Sequence, residues 1–146
     1  MRLRLLVLIA LALGMVGVSR AADEFVVIVH PSVVGSKIRR ADLADVFLRK
    51  TLRWSSGGGG LAVPVDQSGT SPVRKAFSEA VVQQPVAQVM RYWQKQMFSS
   101  SALLPPPVKG SDADVIAFVA KTAGAVGYVS AGAALPPDVK TLALID

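Results

Sequence analysis

Val63-Pro64-Val65-Asp66-Gln67-Ser68-Gly69-Thr70-Ser71-Pro72 decides how this chain is read. Val63 to Asp66 closes a short apolar run that begins at Leu61, the pattern of a strand. Ser71 followed by Pro72 is a helix-start signal, with Ser71 as N-cap and proline at the first helical position. Between them lie two hydroxyl side chains and a glycine, and Ser71 adds a third hydroxyl. The first turn of a helix has unpaired N–H groups and a partial positive charge, so an oxyanion fits there. Ser68, Thr70 and Ser71 add hydroxyl donors, and Gly69 lets the backbone approach a ligand without a Cβ. Asp66 would accept a hydrogen bond from a protonated oxyanion. Taken alone, the same hydroxyls also read as ordinary helix capping. Pro72 lacks an N–H, which removes one donor from the set.

Outward from this segment, strand and helix patterns alternate. Phe25 to His30 is β-branched and nearly continuously apolar, as in a buried strand. Ala41 to Lys50 reads as a helix with Leu43, Val46 and Phe47 on one face, and Asp42 and Asp45 in its first turns. Ser55 to Gly60 is a loop with four consecutive glycines, beside a Trp54 expected to be partly exposed. After Pro72 a helix buries Val73, Phe77, Ala80 and Val81, and Gln83-Gln84-Pro85 breaks it. The next helix carries Met90, Tyr92, Trp93, Met97 and Phe98, expected to line its core face. Ser99 to Pro107 is a loop. Ser111 and Asp112 cap a helix carrying Val115, Phe118 and Val119, which Gly124 ends. Ala125 to Ser130 and Val139 to Ile145 are the last two strand candidates. The order β-α-β-α-α-α-β-β predicts one α/β domain, a mixed sheet flanked by helices.

The start of the chain sets the expected compartment. Arg2 and Arg4 precede an apolar run from Leu5 to Val18, and Ser19-Arg20-Ala21-Ala22 offers small side chains for cleavage after Ala21. This is the pattern of a secretory signal peptide, and the run is shorter than the roughly 17–25 residues that cross a bilayer. The expected division is a signal peptide over 1–21 and one domain over 22–146, free in a periplasm. Loss of Arg2, Arg4 and Arg20 lowers the formal charge from +6 to +3. That modest charge, with acids throughout, argues against a nucleic-acid partner. The chain has no cysteine, which excludes disulfides, thiolate metal sites, cysteine nucleophiles and lipoprotein attachment.

Asp-x-Ser-Gly-Thr before a helix resembles the phosphate-site motif of the substrate-binding proteins of phosphate ABC transporters. Val46-Phe47-Leu48-Arg49-Lys50-Thr51-Leu52-Arg53-Trp54 is similar to that family's Ile-Phe-Leu-Gly-Lys-x-x-x-Trp stretch. Gly124-Ala125-Val126-Gly127-Tyr128-Val129 is similar to its Gly-Ala-Ile-Gly-Tyr-Val stretch. The resemblance implies a single lobe of the type II periplasmic-binding-protein fold. It also implies phosphate or a similar oxyanion as ligand, with Ser68, Gly69 and Thr70 in contact with it, Ser71 beside them and Asp66 sensing its protonation. A membrane transporter or sensor is the implied protein partner. Two departures stand out: Pro64 occupies the place of the family's arginine two positions before the aspartate, and the chain has half the family's length. The competing expectation is an interaction module that kept the fold, lost the ligand and binds a partner or a second copy of itself.

The remaining candidates are weaker. His30 is the only histidine and has no second histidine for a metal site or a triad, so it reads as a strand-end residue that caps a turn. Lys37, Arg39, Arg40, Arg49, Lys50 and Arg53 form a basic cluster beside Asp42 and Asp45. It reads as a solvated helix face or as a surface that attracts anions. No base–nucleophile pair, metal set or cofactor loop is present, so the expectation is a non-enzyme without catalytic residues, metal or cofactor.

Overall fold

The computed structural model describes residues 24–55, 59–99 and 103–146. The proposed signal peptide and Gly57–Gly58 lie outside the described residues. Strand β1 (Phe25–Val29) is the axis of the fold. It pairs antiparallel with β6 (Ala125–Ser130) on one side and with β7 (Lys140–Ile145) on the other. β2 (Lys37–Arg39) adds to β7, and β3 (Val63–Pro64) adds to β6, both in parallel. The mixed sheet therefore runs β2-β7-β1-β6-β3. A separate two-stranded ladder joins β4 (Asp66–Gln67) to β5 (Val108–Lys109) in parallel.

The unbroken apolar run of β1 follows from burial on both faces. Phe25, Val27 and Val29 point to one side and pack with α1 (Arg40–Phe47) and α2 (Pro72–Phe77). Ile28 points to the other side and packs with Val115 and Val119 of α4 (Asp112–Lys121). A pleated strand sends alternate side chains to opposite faces, so helices on both faces require apolar residues throughout. One π-helical turn, Ser78–Val82, continues α2, and Gln83 then turns left-handed with φ 59°. Pro85 precedes α3 (Val86–Phe98).

Several expectations need correction. The strand predicted over Leu61–Asp66 divides at Val65, because Val65 N–H still donates to Val126 while Asp66 N–H turns away to Pro107. β2 and β5 were not foreseen, since two or three residues carry no readable periodicity. The first helix ends at Phe47 rather than Lys50, because Arg49 adopts φ 58° and the Lys50 amide returns to the Asp45 carbonyl. Trp54 is buried, not partly exposed, and its indole N–H donates to the Gly124 carbonyl at 3.0 Å. On α3 only Val89 and Trp93 are buried. Met90, Met97 and Phe98, expected in the core, are 53%, 60% and 92% exposed. The helix touches the rest of the domain along one narrow seam, and those three side chains fall beside it.

The two glycines of Gly124-Ala125-Val126-Gly127 have separate physical reasons. Gly124 has φ +77°, and a Cβ there would meet the Leu61 carbonyl oxygen at 2.1 Å. A Cβ on Gly127 would stand 2.7 Å from Val115 and 2.8 Å from Val65, between the sheet and α4. Those neighbours are fully buried, so they have nowhere to move. Gly127→Ala is expected to lower the unfolding free energy by about 1–3 kcal/mol, the usual range for overpacking a dense core. Urea unfolding of the two proteins measures it, and equal midpoints would refute the packing argument.

Candidate functional site

The site begins where β3 ends. Val65 is held by the sheet, and β4 then crosses to β5, which brings Asp66 to the start of α2. Asp66 meets Arg74 there, the third residue of that helix. Arg74 Nη1 lies 2.7 Å from Asp66 Oδ2 and also donates to the Gln67 carbonyl at 3.0 Å. Their side chains are 8% and 9% exposed, so this is a buried ion pair. The Tyr128 hydroxyl donates to Asp66 Oδ1, and the Gln67 amide donates to the same oxygen at 3.0 Å. Tyr128 itself is held by its ring, stacked on Phe77 with centroids 3.9 Å apart.

Gln67 is the hub of the polar network. Its Nε2 donates to Asp112 Oδ1 at 2.8 Å and to the Tyr128 carbonyl at 3.0 Å. Asp112 Oδ1 also accepts the Ser130 amide. The network thus links β4, α2, α4 and β6, and leaves each buried polar group of Gln67 partnered, as burial demands.

Electrostatics divides the two acids. Burial pushes the Asp66 carboxyl above the ordinary carboxylate range, and the Arg74 guanidinium, the Tyr128 hydroxyl and the Gln67 amide only partly offset it. Burial and the adjacent Asp66 charge push the Tyr128 hydroxyl far up, so it stays a donor. Burial also opposes ionisation of Asp112, but hydrogen bonds from Ser130 and Gln67 outweigh it and hold that carboxyl low.

The ion pair opens into a cavity of about 240 Å³. Asp66, Gln67 and Arg74 supply its polar end, and Met90, Trp93, Met97, Pro105, Pro106 and Val108 supply much of the rest. Gly69 lies on its rim. Gly69 also borders a second depression of about 390 Å³, lined by Thr70, Ser71, Lys75 and Glu79. Asp66 lines the first hollow, Thr70 and Ser71 line the second, and Gly69 lines both. The Ser68 and Thr70 hydroxyls lie 3.1 Å apart. The expected N-cap hydrogen bond from Ser71 does not form; its hydroxyl donates to Gln67 Oε1 at 3.4 Å instead.

Arg74 is the residue of this candidate site that sequence reasoning passed over. A signal existed: it stands three residues before Phe77 and seven before Val81, on the buried face of its own helix. A cation at such a position is buried only with a partner. The basic cluster lies elsewhere. Arg39 pairs with Asp42, Arg40 with Asp146, and Arg53 donates to the Gly59 carbonyl. The Ser32 amide donates to His30 Nδ1, with the Ser32 hydroxyl 2.7 Å from the same nitrogen, and His30 so caps the turn after β1. Among the described residues no group of three acids and histidines could hold a metal ion, and no helix is long and apolar enough to cross a membrane.

Removing one partner of a buried pair strands the other charge. Arg74→Gln is expected to destabilise by about 3–5 kcal/mol at neutral pH. Adding Asp66→Asn should recover part of that loss; a second loss as large as the first, seen in denaturant unfolding, would contradict the pairing. Asp112 has a depressed pKa, so its stabilisation is present above the ordinary aspartate value of ~3.9 and is lost as pH falls through the folded value. The stability gap between the wild type and Asp112→Asn should therefore shrink from neutral pH down to acid. A gap that widens on acidification would reverse the assignment.

No family model matches the chain, and no curated protein matches it. Solved structures do match. One from Clostridium perfringens, assigned to the phosphate ABC transporter substrate-binding proteins and holding bound phosphate, aligns with TM-score 0.63 at 18% identity. It covers 83% of this chain and 44% of that one. An ABC-type phosphate transport receptor from Vibrio cholerae aligns with TM-score 0.60 at 18% identity, over 83% and 46% of the two chains. PstS from Borrelia burgdorferi aligns with TM-score 0.58 at 13% identity, over 83% and 47%. The chain thus spans less than half the length of each of these structures, and its fold is that of a single periplasmic-binding-protein-like lobe, a mixed sheet flanked by helices, similar to phosphate-transport substrate-binding proteins.

Proposed function

We propose that this protein is a periplasmic substrate-binding-like domain that holds phosphate or a similar oxyanion beside Gly69, as an accessory of phosphate ABC transport. The observation that carries this reading is the buried Arg74–Asp66 pair opening beside the Ser68-Gly69-Thr70 loop. A guanidinium has five N–H donors, and Nη1 alone makes both of the contacts described above. A planar donor fork of this kind matches the geometry of an oxyanion. It supplies a cation that Pro64, in the place of the related proteins' arginine, does not.

Asp66 suits the second role. Its Oδ1 accepts from Tyr128 and Gln67, and its Oδ2 from Arg74. A carboxylate has about four acceptor positions, so one on Oδ2 is left for a protonated oxyanion. The loop offers the hydroxyls of Ser68, Thr70 and Ser71, the last two from the adjoining hollow that shares Gly69 with this cavity. Cleavage after Ala21 would release residues 22–146 into the periplasm. Binding on one lobe leaves the anion partly solvated, where water and salt weaken its attraction, so the affinity should be modest. No catalytic group is proposed.

A second reading has its own support. Met90, Met97, Phe98, Leu104 and Val108 are all exposed, and clustered apolar exposure marks interaction surfaces. On that reading the domain docks on a transporter, a sensor or a second copy and has lost its ligand. Isothermal titration with phosphate at low salt separates the two. Saturable heat that disappears in Ser68→Ala/Thr70→Ala supports anion binding at the loop. No heat up to millimolar phosphate, together with self-association in sizing experiments, would favour the interaction module.

A further inference from the structure

The cavity beside Arg74 is built of two unlike halves. Its inner end carries the Asp66–Arg74 pair and Gln67, all buried. Its walls are Met90, Trp93, Met97, Pro105, Pro106 and Val108, with Gln94 the one polar side chain among them. Trp93 is anchored in the small cluster of Leu48 and Val89, so its ring is a fixed wall. Met90 and Met97 stand half-exposed on the same helix and are the adaptable part of the wall.

Inorganic phosphate matches only the inner end. It has five heavy atoms and seeks donors on every side. The cavity volume of about 240 Å³ is several times the roughly 30 Å³ share of one water. A phosphate on Arg74 would leave the apolar walls wet. A few fixed polar groups at one end of an otherwise apolar hollow is the usual construction of a site for an organic ligand. Filling that hollow with carbon removes apolar wall from water, which an inorganic ion cannot do.

We infer that the ligand of this cavity is an organic oxyanion, a phosphonate, phosphate ester or carboxylate with a ring-sized apolar body, its head on Arg74 and its body against Met90, Trp93 and Met97. This rests on the oxyanion reading above and narrows it to a substrate class.

The test is calorimetric titration of the purified protein with phenylphosphonate, inorganic phosphate and the neutral benzyl alcohol. Phenylphosphonate is expected to bind at least tenfold more tightly than phosphate and than benzyl alcohol. Met90→Gln/Met97→Gln alters two exposed side chains and should preserve the fold, as a thermal melt checks. It is expected to reduce the aryl advantage to threefold or less. Equal or tighter binding of phosphate, or an aryl preference that survives the methionine changes, would overturn the inference and leave oxyanion binding standing. Benzyl alcohol binding as tightly as phenylphosphonate would overturn it too, since the head would then contribute nothing. Absence of binding by both anions would overturn the inference and the oxyanion reading together.

Discussion

Asp66 and Arg74 form a charge pair inside the domain, and the arrangement of three elements depends on it. The pair fixes β4 against the start of α2, and the Tyr128 hydroxyl on Asp66 fixes both against β6. Burying two charges carries a desolvation penalty of several kcal/mol per ion, which is offset only by close geometry and further hydrogen bonds. Here the Gln67 amide and carbonyl and the Tyr128 hydroxyl supply them. Such a pair adds little net stability over apolar residues of the same size. What it does is fix where the chain turns out of the sheet and hold a guanidinium at the wall of a cavity.

The packing around the pair follows from the same constraint. Tyr128 reaches Asp66 only if β6 lies close to both helical layers, and Gly127 makes that approach possible next door. The Phe77 ring stacks on Tyr128, and Phe25 and Phe47 meet the stack at steeper angles. Aromatic clusters of this kind hold a polar handle in one orientation. On the other face of β6, Val115 and Val119 close over Gly127, and the same helix begins at Asp112, the partner of Gln67. Apolar core and polar network are thus interlocked, so a change in one is felt in the other.

The surface beside α3 has a different character. Its seam of Val89 and Trp93 ties it to Leu48, and the Tyr92 hydroxyl donates to the Leu48 carbonyl. The neighbouring methionines and Phe98 face water. The chain spans less than half the length of each structure it is similar to, and beside its wall of polar chemistry stands an apolar shelf. The shelf is the feature that both a ligand with an apolar body and a protein partner would use.

Much of the fold was legible in the sequence. The apolar run Phe25 to Val29, the break at Gln83-Gln84-Pro85, the Ser111 cap, whose hydroxyl does accept the Asp114 amide, and the strand-like end of the chain are local signals. They follow from backbone propensity and periodicity, which need no tertiary information. The Asp66-to-Ser71 segment was also legible as a strand-to-helix turn rich in hydroxyls. What the sequence could not decide was partnership. Nothing local marks Arg74 as the partner of Asp66, or Gln67 as the partner of Asp112, 45 positions away. Ser71 does stand at the N-cap position, but its hydroxyl goes to Gln67 instead of capping. The α3 side chains looked like core because periodicity reports which residues share a face, not how wide a strip of that face a neighbour covers. Hydrogen bonds and ion pairs between distant segments depend on three-dimensional proximity, and only the tertiary structure supplies that.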